Sequence, residues 1–166
     1  MTKSEDLAET FTRLSRPLYR YAFSRLGSKH DAEEVVQDVF LSVLKGSPKS
    51  LQDSYWFQSV HNRCVDFLRH QAHLSRTQID WVTVLEIPSS QVENWRAIEQ
   101  SMKSLPEAQR DVLVMRYLCK MTLNEISFVQ QTTVNTVASR QRYALAHLRN
   151  HLKLDSPDGV RSSCKT

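Results

Sequence analysis

At 166 residues, with 40% hydrophobic residues and only three glycines and five prolines, the chain has room for one domain or two small ones and little punctuation for turn-rich β structure. Its net charge of +4 is mild but uneven: Lys and Arg number ten against nine Asp and Glu over residues 1–75, two against four over 77–104, and seven against three over 105–154. No stretch approaches the roughly 20 apolar residues of a membrane span, and no nucleophile with a base, phosphate loop or paired acidic metal site stands out, so a membrane-inserted protein and an enzyme are both set aside.

Taken in chain order, Leu7, Phe11, Leu14, Leu18, Ala22 and Leu26 mark one face of a first long helix, with Pro17 as a kink or break and Gly27 as its end. Acidic residues at Asp31, Glu33 and Glu34 suit a second helix start, and Val35, Val36, Val39, Phe40, Val43 and Leu44 form a wide apolar stripe before Gly46 and Pro48. Glu34, Gln37 and Asp38 lie off that stripe, on what is either a solvated face or a partner surface. A third helix is predicted from Asp53 or Ser54 to about His70, with Trp56, Val60, Cys64, Phe67 and Leu68 inward. Connections this short make a compact bundle.

Residues 76–103 break the periodicity. Trp81, Val82, Val84, Leu85 and Ile87 are too apolar for a free linker, and a helix is expected from about Ser90. From Leu105 to Leu152 the pattern is that of a helix-turn-helix, a module that places a helix in the DNA major groove. Ser104 with Glu107, and Thr122 with Glu125, have capping-box spacing, so helices should start near 105 and 123. A third start at Thr132 or Thr133 leads a helix whose inner stripe is Val134, Val137, Gln141, Leu145, Leu148 and Leu152. Its opposite side shows Asn135, Thr136, Ser139, Arg140 and Arg142, short hydrogen-bonding groups and guanidinium forks suited to base edges and phosphates. For Arg140 a helix-surface ion pair is the equal alternative. The tail from Asp155 is expected to be disordered.

Cys64, Cys119 and Cys164 make no metal-ligand spacing and read as reduced thiols of a cytoplasmic protein. His147 and His151 share a helical i, i+4 spacing, but with no third ligand in view they read as surface histidines, and no metal or cofactor is expected.

Three segments in one order, residues 31–45, 55–69 and 105–140, resemble a sigma-70-family RNA polymerase sigma factor of the small extracytoplasmic-function (ECF) group, over roughly residues 7–152. The resemblance implies an all-α protein of two small helical domains joined by a linker: a sigma domain 2 bundle over 1–75, a linker over 76–103, and a sigma domain 4 helix-turn-helix over 104–153. It implies core RNA polymerase and promoter DNA as partners, with an anti-sigma factor as regulator, and neither membrane insertion nor a small-molecule substrate. Glu34, Gln37 and Asp38 would dock on polymerase. His61, Asn62, Arg63 and Arg69 would meet the minus-ten element, ahead of Tyr55, Trp56 and Phe57, since Trp56 is placed inward by its spacing and the polar residues have no packing reason to be there. Asn135, Thr136, Ser139, Arg140 and Arg142 would read the minus-thirty-five element.

The chain departs from that family at Gln131, where the turn usually carries glycine, and at Ala138, Gln141, Tyr143 and Leu145, where relatives often carry basic residues. Fewer phosphate contacts and more reliance on polymerase should follow. Two other readings stay open: a sigma-like mimic that binds an anti-sigma factor or polymerase without reading DNA, and a dimeric helix-turn-helix repressor that binds DNA unaided. The apolar connector would pack on the first domain or on a partner.

Overall fold

A computed structural model describes residues 3–46, 52–71 and 79–152, and among these every regular element is helical. Pro48, residues 76–78 of the connector, Cys164 and the tail from Asp155 lie outside the described residues.

Helix α1 (Lys3–Leu26) runs through Pro17 without ending there; proline removes one ladder donor, and the rest of the helix is held by packing. Gly27, at φ 71°, ends it. Ser28 then caps α2 (Lys29–Lys45) by accepting from the Asp31 amide at 3.3 Å. The third helix, α3 (Asp53–His70), completes a bundle in which Phe40 stacks on Trp56 at 4.6 Å and Tyr21 meets Phe57 edge-on. Trp56, Phe57, Val60 and Cys64 are all buried here, as a 3.6-residue period on one face requires.

The described part of the connector begins at Ile79. Asp80 caps the short helix α4 (Trp81–Val84) through the Val82 and Thr83 amides, and Trp81 and Val84 are buried. Glu86 takes a left-handed conformation (φ 56°), and a 3₁₀ turn (Ser89–Gln91) leads into α5 (Val92–Ser104), which packs on the last helix. The apolar connector therefore packs within this chain, between α1 and α5.

Helix α6 (Glu107–Leu113) follows Pro106 and passes into a π turn (Val114–Leu118), marked by the Cys119 amide bonding back to the Val114 carbonyl. The expected capping box at Ser104 does not form. Ser104 closes α5, its hydroxyl donating to the Ser101 carbonyl at 2.9 Å, and Pro106, which has no amide to satisfy, stands at the N-cap of α6. The second box does form: the Thr122 amide donates to Glu125 Oε2 at 2.7 Å and the Glu125 amide to Thr122 Oγ1 at 3.2 Å, starting α7 (Leu123–Val129). Thr133 caps α8 (Val134–Leu152) by accepting from the Thr136 amide. On α8 the buried positions are Val137 and Ala144, while Val134 is 36% exposed, so the inward stripe is narrower than the periodicity predicts.

The helix groups share one hydrophobic core. Helix α3 lies along α7, and α1 along the π turn. At this seam Arg25 meets Asp111 at 2.7 Å and also Glu107, the Gln58 amide donates to the Phe128 carbonyl at 3.2 Å, and the Cys119 thiol points to the Pro17 carbonyl.

Candidate nucleic-acid interface

Two surfaces carry the residues singled out by the sequence. The first is a groove between α2 and α3 of about 470 Å³. One turn after another, α3 contributes Tyr55, Ser59, Asn62, Arg63 and Asp66, and α2 contributes Asp38, Ser42 and Lys45. Ser59 and Lys45 were missed from the sequence, although Tyr55, Ser59 and Asn62 stand at i, i+4 and i+3 steps that put them on one helix face.

Within this groove, Arg63 Nη2 donates to Asp38 Oδ2 at 2.7 Å, and this bond holds the guanidinium pKa above its ordinary value. A residue expected to dock polymerase and one expected to meet DNA thus hold each other. Glu34, Gln37 and Asn62 are exposed, and Arg69 is exposed beside Asp66 at 3.8 Å. His61 departs from the expectation that no packing reason accounts for it. Its Nδ1 lies 2.7 Å from the Tyr21 hydroxyl and its ring is half-buried; burial, then the nearby charge of Arg25, lower its pKa below the usual 6.5. Of the aromatic candidates, Trp56 is buried as its spacing indicates. Phe57 is 2% exposed and has no face to offer a base, leaving Tyr55 half-exposed at the groove.

The second surface is the outer side of α8. Asn135 and Arg142 are exposed, with the Arg142 guanidinium 5.4 Å from the Tyr143 ring centroid. Thr136 and Ser139 are half-buried, and the Thr136 hydroxyl is 2.9 Å from that of Thr133. Arg140 makes no ion pair among the described residues: its Nη1 donates to Gln130 Oε1 at 2.7 Å, while Gln130 Nε2 donates to the Ala108 carbonyl at 3.0 Å. This chain braces α8 to the turn and to α6. Gln131 has φ 51°, so glutamine adopts the left-handed conformation the turn needs.

Residues 10–73 match the family model Sigma-70 region 2, and residues 101–150 match Sigma-70, region 4. The chain belongs to the sigma-70 family. Its relatives are ECF sigma factors: ECF RNA polymerase sigma factor SigM of Bacillus subtilis (strain 168) is 24% identical over 86% of this chain and 94% of its own length. SigK of Mycobacterium tuberculosis (strain ATCC 25618 / H37Rv) is 24% identical over 87% and 84%. RNA polymerase sigma factor SigV of Bacillus subtilis (strain 168) is 22% identical over 88% and 90%. The solved structure of CnrH in complex with the cytosolic domain of CnrY has the same fold, with a TM-score of 0.64 at 20% identity over 90% of this chain and 89% of that one. The α2–α3 groove of this ECF sigma factor therefore lies in region 2, and α8 in region 4.

Other reactive groups are few among the described residues. Burial pushes the Cys64 and Cys119 thiols up to about 12, which keeps them protonated at neutral pH. His147 and His151 stack at 5.9 Å, with His147 Nε2 next to the Ser104 hydroxyl. His30, Asp31 and Glu34 are the metal-capable cluster of the described residues, on the first turns of α2 at the surface. No described helix is long and apolar enough to cross a membrane.

Proposed function

We propose that this sigma factor binds core RNA polymerase through the α2 face of Glu34, Gln37 and Asp38 and directs initiation at promoters through two DNA contacts. Asn62, Arg63 and Arg69 meet the minus-ten element, with Tyr55 at the groove as a stacking face for an unpaired base. His61 joins them after leaving its Tyr21 partner. Asn135, Thr136, Ser139 and Arg142 read the minus-thirty-five element, while Arg140 acts from its brace on Gln130. Residues 1–75 form the polymerase and minus-ten unit and 104–153 the minus-thirty-five unit. On this reading α5, which packs on α8, belongs with the second unit, so the hinge between them lies before Val92.

The observation that carries the reading is α8 itself: a helix capped at Thr133, braced at Arg140, and showing a polar face with an exposed guanidinium at Arg142. Phosphodiester chemistry belongs to the polymerase, and this chain contributes binding and strand separation in the cytoplasm. The family's usual regulator, an anti-sigma factor, is the expected third partner, in keeping with the complex in which CnrH was solved.

Run-off transcription with purified core polymerase and genomic fragments tests the proposal. Discrete products from a promoter subset are expected only when the protein is added. Tight core binding without any such product would instead make the chain a mimic that does not read DNA, a reading suggested by the sparse basic charge along α8.

A further inference from the structure

We propose that the outer crease between α1 and α2 is a self-association surface, on which a second copy of this chain sits across a two-fold axis beside Leu41. The surface includes the α2 face assigned above to polymerase docking, so what concerns core polymerase rests on that reading. Of the seven large hydrophobic side chains exposed among the described residues, three gather here: Phe11 at 47%, Leu41 at 49% and Leu44 at 61% exposed. They border a groove of about 520 Å³ shared by Leu7 and Phe11 of α1 and Gln37, Phe40, Leu41 and Leu44 of α2. Phe11 meets the buried ring of Phe40 edge-on at 4.8 Å, which fixes it as part of the groove wall. An exposed apolar patch with a polar rim marks a contact surface, and here the rim carries the pattern that a second copy would match.

At about 100° per residue, Glu34, Leu41 and Lys45 fall within about 20° of one line along α2, and Leu44 leans from that line towards α1. Glu34 and Lys45 are both exposed and stand about 17 Å apart along the helix. An antiparallel copy of α2 centred midway between them brings Lys45 of each copy to Glu34 of the other. Leu41 lies about 2 Å along the axis from that centre, so the two Leu41 side chains meet beside it, with Phe11 and Leu44 of both copies at their flanks. Acid at one end and base at the other is the self-complementary arrangement that a two-fold contact requires; a partner of one charge would match only half of it. Over residues 1–75, which carry the face, ten Lys and Arg stand against nine Asp and Glu, so two copies meet without strong net repulsion. A dimer made in this way covers Glu34 and Gln37 and competes with core polymerase.

Sedimentation velocity of the full chain, from low to several hundred micromolar, tests the pairing by reading mass. The wild type should move from the mass of one chain towards twice that value as concentration rises. Lys45→Glu should weaken self-association by about tenfold, because two rim ion pairs become two repulsions. Leu44→Ser should weaken it as well, and both side chains are exposed, so the fold is spared. The double variant Glu34→Lys/Lys45→Glu exchanges the charges and should recover wild-type association. A wild type that keeps the mass of one chain at every concentration overturns the proposal and leaves the groove to another partner. Association that Lys45→Glu leaves intact, or that the charge exchange does not restore, overturns it too. Core polymerase titrated into the dimer should bind one chain per core; a complex holding two chains overturns the competition. If Glu34→Ala binds core as the wild type does, the docking reading fails by itself, and the masses still decide the dimer.

Discussion

Asp38 on α2 and Arg63 on α3 face each other across the region 2 groove, carboxylate to guanidinium at 2.7 Å. Both side chains are more than a third exposed, so their pairing contributes no more than about 1 kcal/mol to folding. Its consequence is on availability: in the proposed roles, each residue must leave the other to meet polymerase or DNA. Asp38→Asn should therefore leave thermal stability within about 1 kcal/mol of wild type while weakening core binding. Arg63→Ala should spare core binding and reduce promoter opening. Fluorescence anisotropy with labelled core and permanganate reactivity of the minus-ten strand separate the two; equal losses in both assays from both variants would refute the division of labour.

Gln131 occupies the helix-turn-helix turn at φ 51°. A left-handed backbone costs an L-residue roughly 1 kcal/mol that glycine does not incur, offset in part by glycine's greater freedom in the unfolded chain. Gln131→Gly should raise stability by up to about 1 kcal/mol, and Gln131→Val should lower it by more than that, because a β-branched side chain tolerates this region least. Urea denaturation of the three proteins reads the order directly; a Val variant as stable as wild type would mean that the turn can adopt another conformation.

Helix faces were legible in the sequence wherever one apolar period met one partner. Trp56, Val60 and Cys64 point inward at the predicted spacing, and the Thr122 to Glu125 box forms because both partners lie within one turn. Local patterns failed where a competing local signal was stronger: Pro106 displaced Ser104 as the start of α6. They also failed wherever the partner was distant in sequence. The Tyr21 hydroxyl that holds His61 is 40 residues away, and the carboxylate that meets Arg25 is 86 residues away. The sequence pattern therefore shows no packing reason for the polar residues of α3, and the seam between the helix groups leaves no mark in the periodicity of either. Family resemblance supplies the expected roles of the α2 and α8 faces; it does not show that Arg140 is engaged by Gln130.

Buried Asp111 at the seam and half-buried His61 on α3 give opposing pH dependences. Burial raises the Asp111 carboxyl to about 6, against the pull of Arg25, with Glu107 adding to the rise and Arg110 opposing it. Since the folded value lies above the unfolded one, the folded state gains protons first, and this group's contribution grows as pH falls through about 6. His61 has the reverse sign: burial and then Arg25 lower its pKa, with Glu107 opposing, so the folded state resists protonation and loses stability as pH falls below about 6.5. Between pH 7 and pH 5, Asp111→Asn should therefore lose on the order of 1 kcal/mol relative to wild type, and His61→Gln should gain relative to wild type. Calorimetric melting at both pH values checks the signs; shifts of the same sign in the two variants would contradict the assignment.

Arg140 and Arg142 are two residues apart on α8 but differ in what they already hold. Arg142 is exposed, with the Tyr143 ring against it, and can move to a guanine edge or a phosphate at little cost. Arg140 would have to release Gln130, and with it the link through Gln130 to the Ala108 carbonyl. Arg142→Ala should thus cost about 1–3 kcal/mol of minus-thirty-five binding if it reads a base, with specificity relaxed at one position, or a uniform loss and a shallower salt dependence if it holds a phosphate. Arg140→Ala should lower the melting temperature as well as DNA binding, whereas Arg140→Lys, which keeps one donor to Gln130, should restore stability before it restores binding. Holoenzyme binding to promoter fragments bearing single substitutions in the minus-thirty-five element, measured at two salt concentrations beside melting curves, distinguishes these outcomes. An Arg140→Ala protein with wild-type melting and lost base discrimination would make Arg140, and not Arg142, the principal reader on this helix.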